Sequence, residues 1–493
     1  MVVKTGSGTT NVKGSMKQIK VDVAVIGAGT AGMAAYRAAR QAGKQVVLIE
    51  GAEFGTTCAR VGCMPSKLLL AAANGLHDAK AQAPRGIEGT HALEANGEQV
   101  LAYVRSERDH FVKGVLKETD AFPQDTIIRG FARFESRNVL LVDDYARVEA
   151  ASVVIATGSA SVIPDDFKLF GDHLMTSDEV FDLKTLPKRC AVFGAGPIAL
   201  ELGQAFARLG VDVFMFSQKN KVGAISDTPV RNALIEALQQ EFYLDPDATI
   251  LEKSMQDGEP TIRFKALDGT ERTERFDRVL VATGRKPVLS SLQLEKTGIE
   301  LSDKGVPLFN EQSMQCGDSS IFIAGDCDGT RPFLSDAADE GKLAGDNAAR
   351  FPDVQSVKRK APFSIVFCEP QVASVGAPYD DLDKETSVTG SVSFETQGRS
   401  RVLRQNRGLL HVYADARTGK LLGAQGCGPA IEHLGHLIAW ALQLELSVED
   451  MLKLPFYHPV IEEGLRTALK EANKKCLEAR AQSAPELPNA AGC

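Results

Sequence analysis

The strongest constraint on the fold is a glycine-punctuated unit that occurs twice. The stretch VDVAVIGAGTAGMAAYRAARQAGKQVVLIE, residues 21–50, reads as a buried strand, a tight turn, an alanine-rich helix and a second strand ending in an acid. Gly27 suits the turn, Gly29 lets the backbone approach a pyrophosphate at the helix N-terminus, Gly32 permits close packing of helix on strand, and Glu50 can accept from a ribose hydroxyl. RCAVFGAGPIALELGQAFARLGVDVFMFSQKN, residues 189–220, repeats the pattern with Gly194, Gly196 and Ala199. Two dinucleotides rather than one are therefore expected. In the second copy the acid is missing. Ser217 stands in its place and is followed by Gln218, Lys219, Asn220 and Lys221. Cations there suit the 2′-phosphate of NADP, and a solvated loop after an edge strand would look the same.

Two further segments rhyme, SVVIATGSASVIP around Thr157 and Gly158 and RVLVATGRKPV around Thr283 and Gly284. Each reads as a strand running into a tight turn, and together they bracket the second unit as an insertion in the first. SSIFIAGDCDG adds a strand ending at Gly325 and Asp326. Beyond about residue 355 the texture changes to alternating strands, with GLLHVYADARTGKLLGAQG as a hairpin, followed by helices. The expected fold class is α/β: two Rossmann-like dinucleotide-binding domains, residues 20–156 with 285–355 and residues 157–284, plus a C-terminal α+β domain over 356–475. Residues 1–19 and 476–493 are expected as tails.

The chemistry points to sulfur. In GTTCARVGCMPSKLLL, residues 55–70, Cys58 and Cys63 stand five positions apart. On a regular helix that spacing separates the Cα atoms by about 8.6 Å, beyond the usual disulfide limit, so the first cysteine must lie in a distorted turn. Gly62 relaxes the backbone and Pro65 suits a first helical turn, which places Cys63 near a helix N-terminus where thiolate is favoured. A strained, easily reduced pair is the expectation; a zinc clip would need two more ligands, which no nearby spacing supplies, and an inert bridge remains an alternative. Nine cysteines in 493 residues are too few for a disulfide scaffold.

In LPFYHPVIEE, His458 precedes Pro459 and a helical pattern, with Glu463 placed to reach back and fix its tautomer. The pair reads as an oriented base, against the plainer reading of a helix cap. His433 and His436 are read as packing rather than as metal ligands, and no metal site is expected. The net charge of −8 and the lack of a basic stripe argue against nucleic acid. No apolar window is long enough to span a membrane, and the first 20 residues lack the apolar core of a signal peptide, so a cytoplasmic location is expected.

Together GTTCARVGCMPSK, both fingerprints, the two ATG segments, IFIAGDCDG, IVFCEPQVASVG and HPVIEE resemble the class I pyridine nucleotide-disulfide oxidoreductases over roughly residues 20–475, and among them most resemble the dihydrolipoamide dehydrogenases. The resemblance implies FAD in the first fingerprint and NAD, or NADP, in the second. It implies a redox disulfide in which Cys58 exchanges with a small dithiol or a lipoyl-bearing protein and Cys63 faces the flavin, with His458 and Glu463 as base and orienter. Lys67, paired with Glu201, is placed beside the flavin, and Asp326 on its ribityl-phosphate portion. Thr57, Thr157, Gly158, Gly284 and Arg285 complete the implied cofactor-binding set, and the C-terminal domain becomes a dimerisation domain in a homodimer. Ser217 departs from the family's usual acid. Cys476 and Cys493 lie where mercuric and thioredoxin reductases carry an extra redox pair, although such pairs are usually adjacent. Glutathione or a metal ion is the alternative substrate, and a flavin-bearing redox sensor the alternative from another class, one with no use for an oriented base.

Overall fold

The computed structural model describes residues 16–482 and divides into two compact units. Among the described residues the first comprises 16–58, 111–160 and 285–359. Its centre is a parallel sheet in which Lys17–Ile26 lies between Val46–Glu50 and Ala146–Ile155, with Ile321–Ile323 and Ile127–Arg129 outside them. Val23, Val25, Leu48 and Val154 are wholly buried, which accounts for strands that read as apolar runs. The helix Thr30–Gln41 packs against Leu334–Arg350 through alanine and glycine. A Cβ on Gly341 would lie 2.1 Å from the Ala31 carbonyl oxygen, and one on Gly345 would lie 2.3 Å from that of Ala35. Small residues here set the helix spacing.

Among the described residues the second unit comprises 59–110, 161–284 and 360–482. It carries a parallel sheet in the order Tyr243–Asp245, Asp212–Phe216, Arg189–Phe193, Arg278–Val281, Leu174–Met175. It also carries an antiparallel sheet in which Gln371–Gly376 and Leu409–Asp415 flank Leu421–Gly428. The two strands around the Thr-Gly turn pair as a hairpin. Residues 59–110, read from sequence with the first nucleotide domain, group instead with this unit, because Leu69, Leu70, Ala73, Leu101 and Val104 share a core with Leu200 and Phe206. The last helix, Glu462–Gln482, also runs past the expected boundary at 475 and buries Cys476, whose thiol donates to the Asp415 carbonyl. Cys493 lies outside the described residues. No described helix is long and apolar enough to cross a membrane.

A polar knot ties the hairpin to the segment 161–284. Asp227 is wholly buried, and its Oδ2 lies 2.7 Å from His411 Nδ1 and accepts from the Tyr413 hydroxyl at 2.8 Å. Its amide donates to Gln425 Oε1 at 2.8 Å. Burial pushes the Asp227 carboxyl up, but the hydrogen bonds from His411 and Tyr413 outweigh it and hold the group below its ordinary value. A depressed native value stabilises the fold above the unfolded-state value of about 3.9 and is lost as the pH falls through the native one. Asp227→Asn should therefore lower stability by about 1–3 kcal/mol at neutral pH. The urea midpoints of variant and wild type should converge as the pH falls below about 4.

Candidate active site

The first fingerprint forms a cradle with a bare floor. Gly27 has φ +104°, and a Cβ there would lie 2.2 Å from the Ala156 carbonyl oxygen. A Cβ on Gly32 would lie 1.8 Å from the Gly27 carbonyl oxygen. Around Gly29, by contrast, nothing lies within 4 Å, and the helix that starts after it has no side-chain cap. Open space beside uncapped amides is what a pyrophosphate requires. Glu50 accepts from the Ala28 amide at 2.6 Å and the Ala52 amide at 2.8 Å, so its carboxylate is locked at the turn. These residues fit a dinucleotide.

Asp326 and Arg285 meet through a residue that the sequence reading passed over. Ser159 donates to Asp326 Oδ2 at 2.7 Å and receives Arg285 Nε at 2.9 Å on its hydroxyl and Nη2 at 2.7 Å on its carbonyl. Thr157 and Gly158 stand just before it, half-buried, with Gly158 at φ +68°. Glu340 was missed as well. It is a buried acid in a helix that reads only as amphipathic, and its Oε2 accepts the Gly325 amide at 2.8 Å, which fixes the turn carrying Asp326. No sequence signal marks it, since Asp336, Asp339 and Asp346 stand on the same helix.

The second fingerprint repeats the cradle. Gly194 has φ +108°, with a Cβ there 2.4 Å from the Ala282 carbonyl oxygen, and Gly196 is open like Gly29. Ala199 replaces the third glycine and is fully buried. Gly284, at φ +137°, has nothing within 4 Å of a Cβ position. Ser217 is buried and its hydroxyl donates back to the Lys221 carbonyl at 2.8 Å, so it caps its own turn.

The helix Pro197–Arg208 presents a polar stripe on a buried face. Glu201 Oε2 accepts Lys67 Nζ at 2.7 Å, while its Oε1 accepts the Phe367 amide at 3.0 Å. Gln204 bonds both the amide and the carbonyl of Glu369, and Arg208 pairs with Glu241 and Glu369 and reaches Asn74 at 2.7 Å. Lys67 Nζ also lies 4.5 Å from the centre of the Phe367 ring. The expected Lys67–Glu201 pair is thus one rung of a longer ladder.

Thr57 and Cys58 lie in the short helix Thr57–Arg60, and Cys63 opens the helix Cys63–Lys80. Cys58 is half-buried and Cys63 exposed. The helix that Cys63 opens also carries Lys67. At the other end of the chain, His458 Nδ1 lies 2.9 and 3.1 Å from the two Glu463 carboxylate oxygens. A carboxylate only accepts, so Nδ1 carries the proton and Nε2 is left basic. The hydrogen bond from His458 holds the Glu463 carboxyl below its ordinary value, and the Val460 amide adds to it. With its side chain 81% exposed, the imidazole faces outward. His433 and His436, read as packing, also face outward, although His436 does rest edge-on against Phe363. Among the described residues no cluster of three or more His, Cys, Asp or Glu could hold a metal ion.

The chain thus carries two glycine-floored cradles that fit dinucleotides and an ion pair between Lys67, on the helix of Cys63, and Glu201, on Pro197–Arg208. The chain belongs to the pyridine nucleotide-disulphide oxidoreductase family, whose model matches residues 21–341 and whose dimerisation-domain model matches 363–469. Members of this family use FAD and NAD(P). The chain is similar to a dihydrolipoyl dehydrogenase of Thermus scotoductus, 31% identical over 92% of this chain and 98% of the relative. It is similar to one of Haloferax volcanii, 29% identical over 92% and 96%. A mercuric reductase of Staphylococcus aureus is 29% identical over 91% of this chain and 81% of its own length. In fold it matches the HOCl-induced flavoprotein disulfide reductase RclA of Escherichia coli, with a TM-score of 0.74 at 20% identity over 92% of this chain and 99% of that one.

Proposed function

We propose that this chain oxidises a small dithiol, dihydrolipoamide or a lipoyl group on a partner protein, with NAD(P) as the terminal acceptor. The observation that carries the reading is the tautomer imposed on His458 by Glu463, because turnover of a thiol uses an oriented base and a redox sensor does not. The dihydrolipoyl dehydrogenases among the relatives support the substrate. In this reading the substrate thiolate attacks Cys58 Sγ, the bond to Cys63 breaks, and Cys63 leaves as a thiolate favoured by its helix N-terminus. His458 Nε2 takes the proton of the second substrate thiol, which then attacks the mixed disulfide and releases Cys58. The substrate leaves as a disulfide, and its electron pair remains on the two cysteines. Bound FAD, held by Gly27, Gly29, Gly32, Glu50 and Asp326, supplies the two-electron chemistry that links thiols to hydride transfer. Lys67, fixed by Glu201, holds a positive charge on the same helix as Cys63.

The reading includes a cytoplasmic homodimer. Leu437, Trp440 and Leu444 form one stripe on the helix Ile431–Gln443 and its end, with Trp440 63% and Leu444 71% exposed, an apolar face that a second copy would cover. Reduction of a metal ion is the second reading, favoured by the mercuric reductases among the relatives. The buried position of Cys476 weighs against its serving as an accessory metal-handling thiol. A steady-state panel of dihydrolipoamide, oxidised glutathione and mercuric ion, each with both nicotinamide cofactors, tests the proposal. A specificity constant for dihydrolipoamide below that of either competitor would overturn it.

Cofactor choice should respond to the strand end after Phe216. Ser217 offers no carboxylate to a ribose and turns its hydroxyl inward. Ser217→Glu is expected to move the ratio of specificity constants about tenfold toward NAD, because a carboxylate accepts from the 2′-hydroxyl and repels a 2′-phosphate. Initial rates with NAD and NADP check this, and an unchanged ratio would show that the strand end does not read the ribose.

A further inference from the structure

Phe131 is the most exposed phenylalanine among the described residues, at 64% against 37% for Phe333 and 36% for Phe111. A ring so open would ordinarily turn aside to cover apolar surface, yet the backbone that carries this one is pinned and the ring itself rests on a glycine. Its amide donates to Asp143 Oδ1 at 3.1 Å, and its carbonyl accepts the Asp143 amide at 3.0 Å. The preceding Gly130, at φ +143°, donates to the Glu50 carbonyl at 2.9 Å, and a Cβ there would lie 2.4 Å from Asp143 Oδ2. The ring itself rests on Gly51, where a Cβ would lie 2.5 to 2.8 Å from three ring atoms. Only a glycine at 51 admits it.

The location gives the ring a task. Glu50 pairs with Arg129 in the parallel ladder, so Gly51 and the stretch 130–131 run side by side immediately past Glu50, the carboxylate that the FAD reading sets on the ribose. In a dinucleotide the adenine is joined directly to that ribose, so the base must lie within about a ring's breadth of Glu50. A fixed aromatic ring, backed on one side by bare backbone and open elsewhere, is a stacking platform for a purine.

We propose that Phe131 stacks on the adenine of FAD and so anchors the half of the cofactor that takes no part in the redox chemistry. The inference rests on the first fingerprint holding FAD. Phe131 acts as a positioning residue, and its readout is affinity rather than rate. The full-length chain is stripped of flavin, and the binding of FAD and of FMN, which lacks the adenylate, is measured by flavin fluorescence in wild type, F131A, F131L and F131W. F131A and F131L should each weaken FAD by about tenfold to a hundredfold and leave FMN unchanged, while F131W should retain FAD. The leucine variant separates stacking from mere apolar cover, since it keeps the bulk and loses the ring. Unchanged FAD affinity in F131A and F131L would overturn the inference. So would an equal loss of FAD and FMN, which would make the ring a support of the fold. A wild-type chain that takes up no FAD would instead overturn the cofactor reading on which the inference stands.

Discussion

Cys58→Ser is expected to reduce dithiol oxidation by about 10⁴-fold or more while leaving the protein yellow and able to oxidise NAD(P)H with an artificial electron acceptor. The substitution removes one sulfur atom from a half-buried position in a short helix, and without it there is no disulfide for the substrate thiolate to attack. Electron flow between nicotinamide and flavin does not use that sulfur. The two assays therefore separate, and the separation is the informative result. Cys63→Ser should differ, since the proposal sets Cys63 against the flavin: mild reduction of wild type should give a long-wavelength thiolate-to-flavin band, and this variant should lack it. Dithiol turnover retained in Cys58→Ser would refute the exchange role.

His458→Ala is expected to cost about 10²- to 10⁴-fold in dithiol turnover, the usual share of a positioned base. Hybrid dimers test a sharper consequence. The dimer is proposed to place His458 of the partner subunit at each cysteine pair. If Cys63→Ser and His458→Ala chains are unfolded together and refolded with FAD, a mixed dimer then has one site with both defects and one with neither. Random pairing makes about half of the dimers mixed, so about a quarter of wild-type activity should return. A base acting within its own chain would leave every mixed site with one defect, and activity would stay at the level of the parents. A verified mixed dimer without activity would rule out the shared site.

Much of this molecule is legible in its sequence because glycine and buried-strand patterns carry steric information directly. Gly27 and Gly194 both need a positive φ beside a neighbouring carbonyl, and no other residue type fits, so the fingerprints show through 493 residues. The reach of Glu463 to His458 was legible because the two stand five positions apart, with Pro459 between them and Glu463 in the first turn of the following helix. What stayed hidden depends on contacts between distant segments. The assignment of 59–110 to the second unit follows from a core shared with residues more than a hundred positions away. Glu340 fixes a backbone amide, and Ser159 joins two side chains more than a hundred positions further along the chain; such bonds leave no motif. The exposure of His433 was misjudged because the helix Ile431–Gln443 is apolar on both faces, one turned to the core and one left open.

The polar ladder along Pro197–Arg208 bears on how such a chain can be recombined. The segment 161–284 carries a nucleotide motif of its own and would be treated by an engineer as an exchangeable cassette. Its hooks say otherwise: Glu201, Gln204 and Arg208 grip Lys67, Asn74 and Phe367–Glu369, while Asp227 is tied to His411 and Tyr413. A graft from a relative that lacked those partners would strand buried charges, and losing one member of a buried ion pair costs about 3–5 kcal/mol. Crossover points for a working chimera therefore belong around sets of partners rather than at the ends of the segment, and the nucleotide preference of this chain is better altered at one strand end than by exchange of the whole.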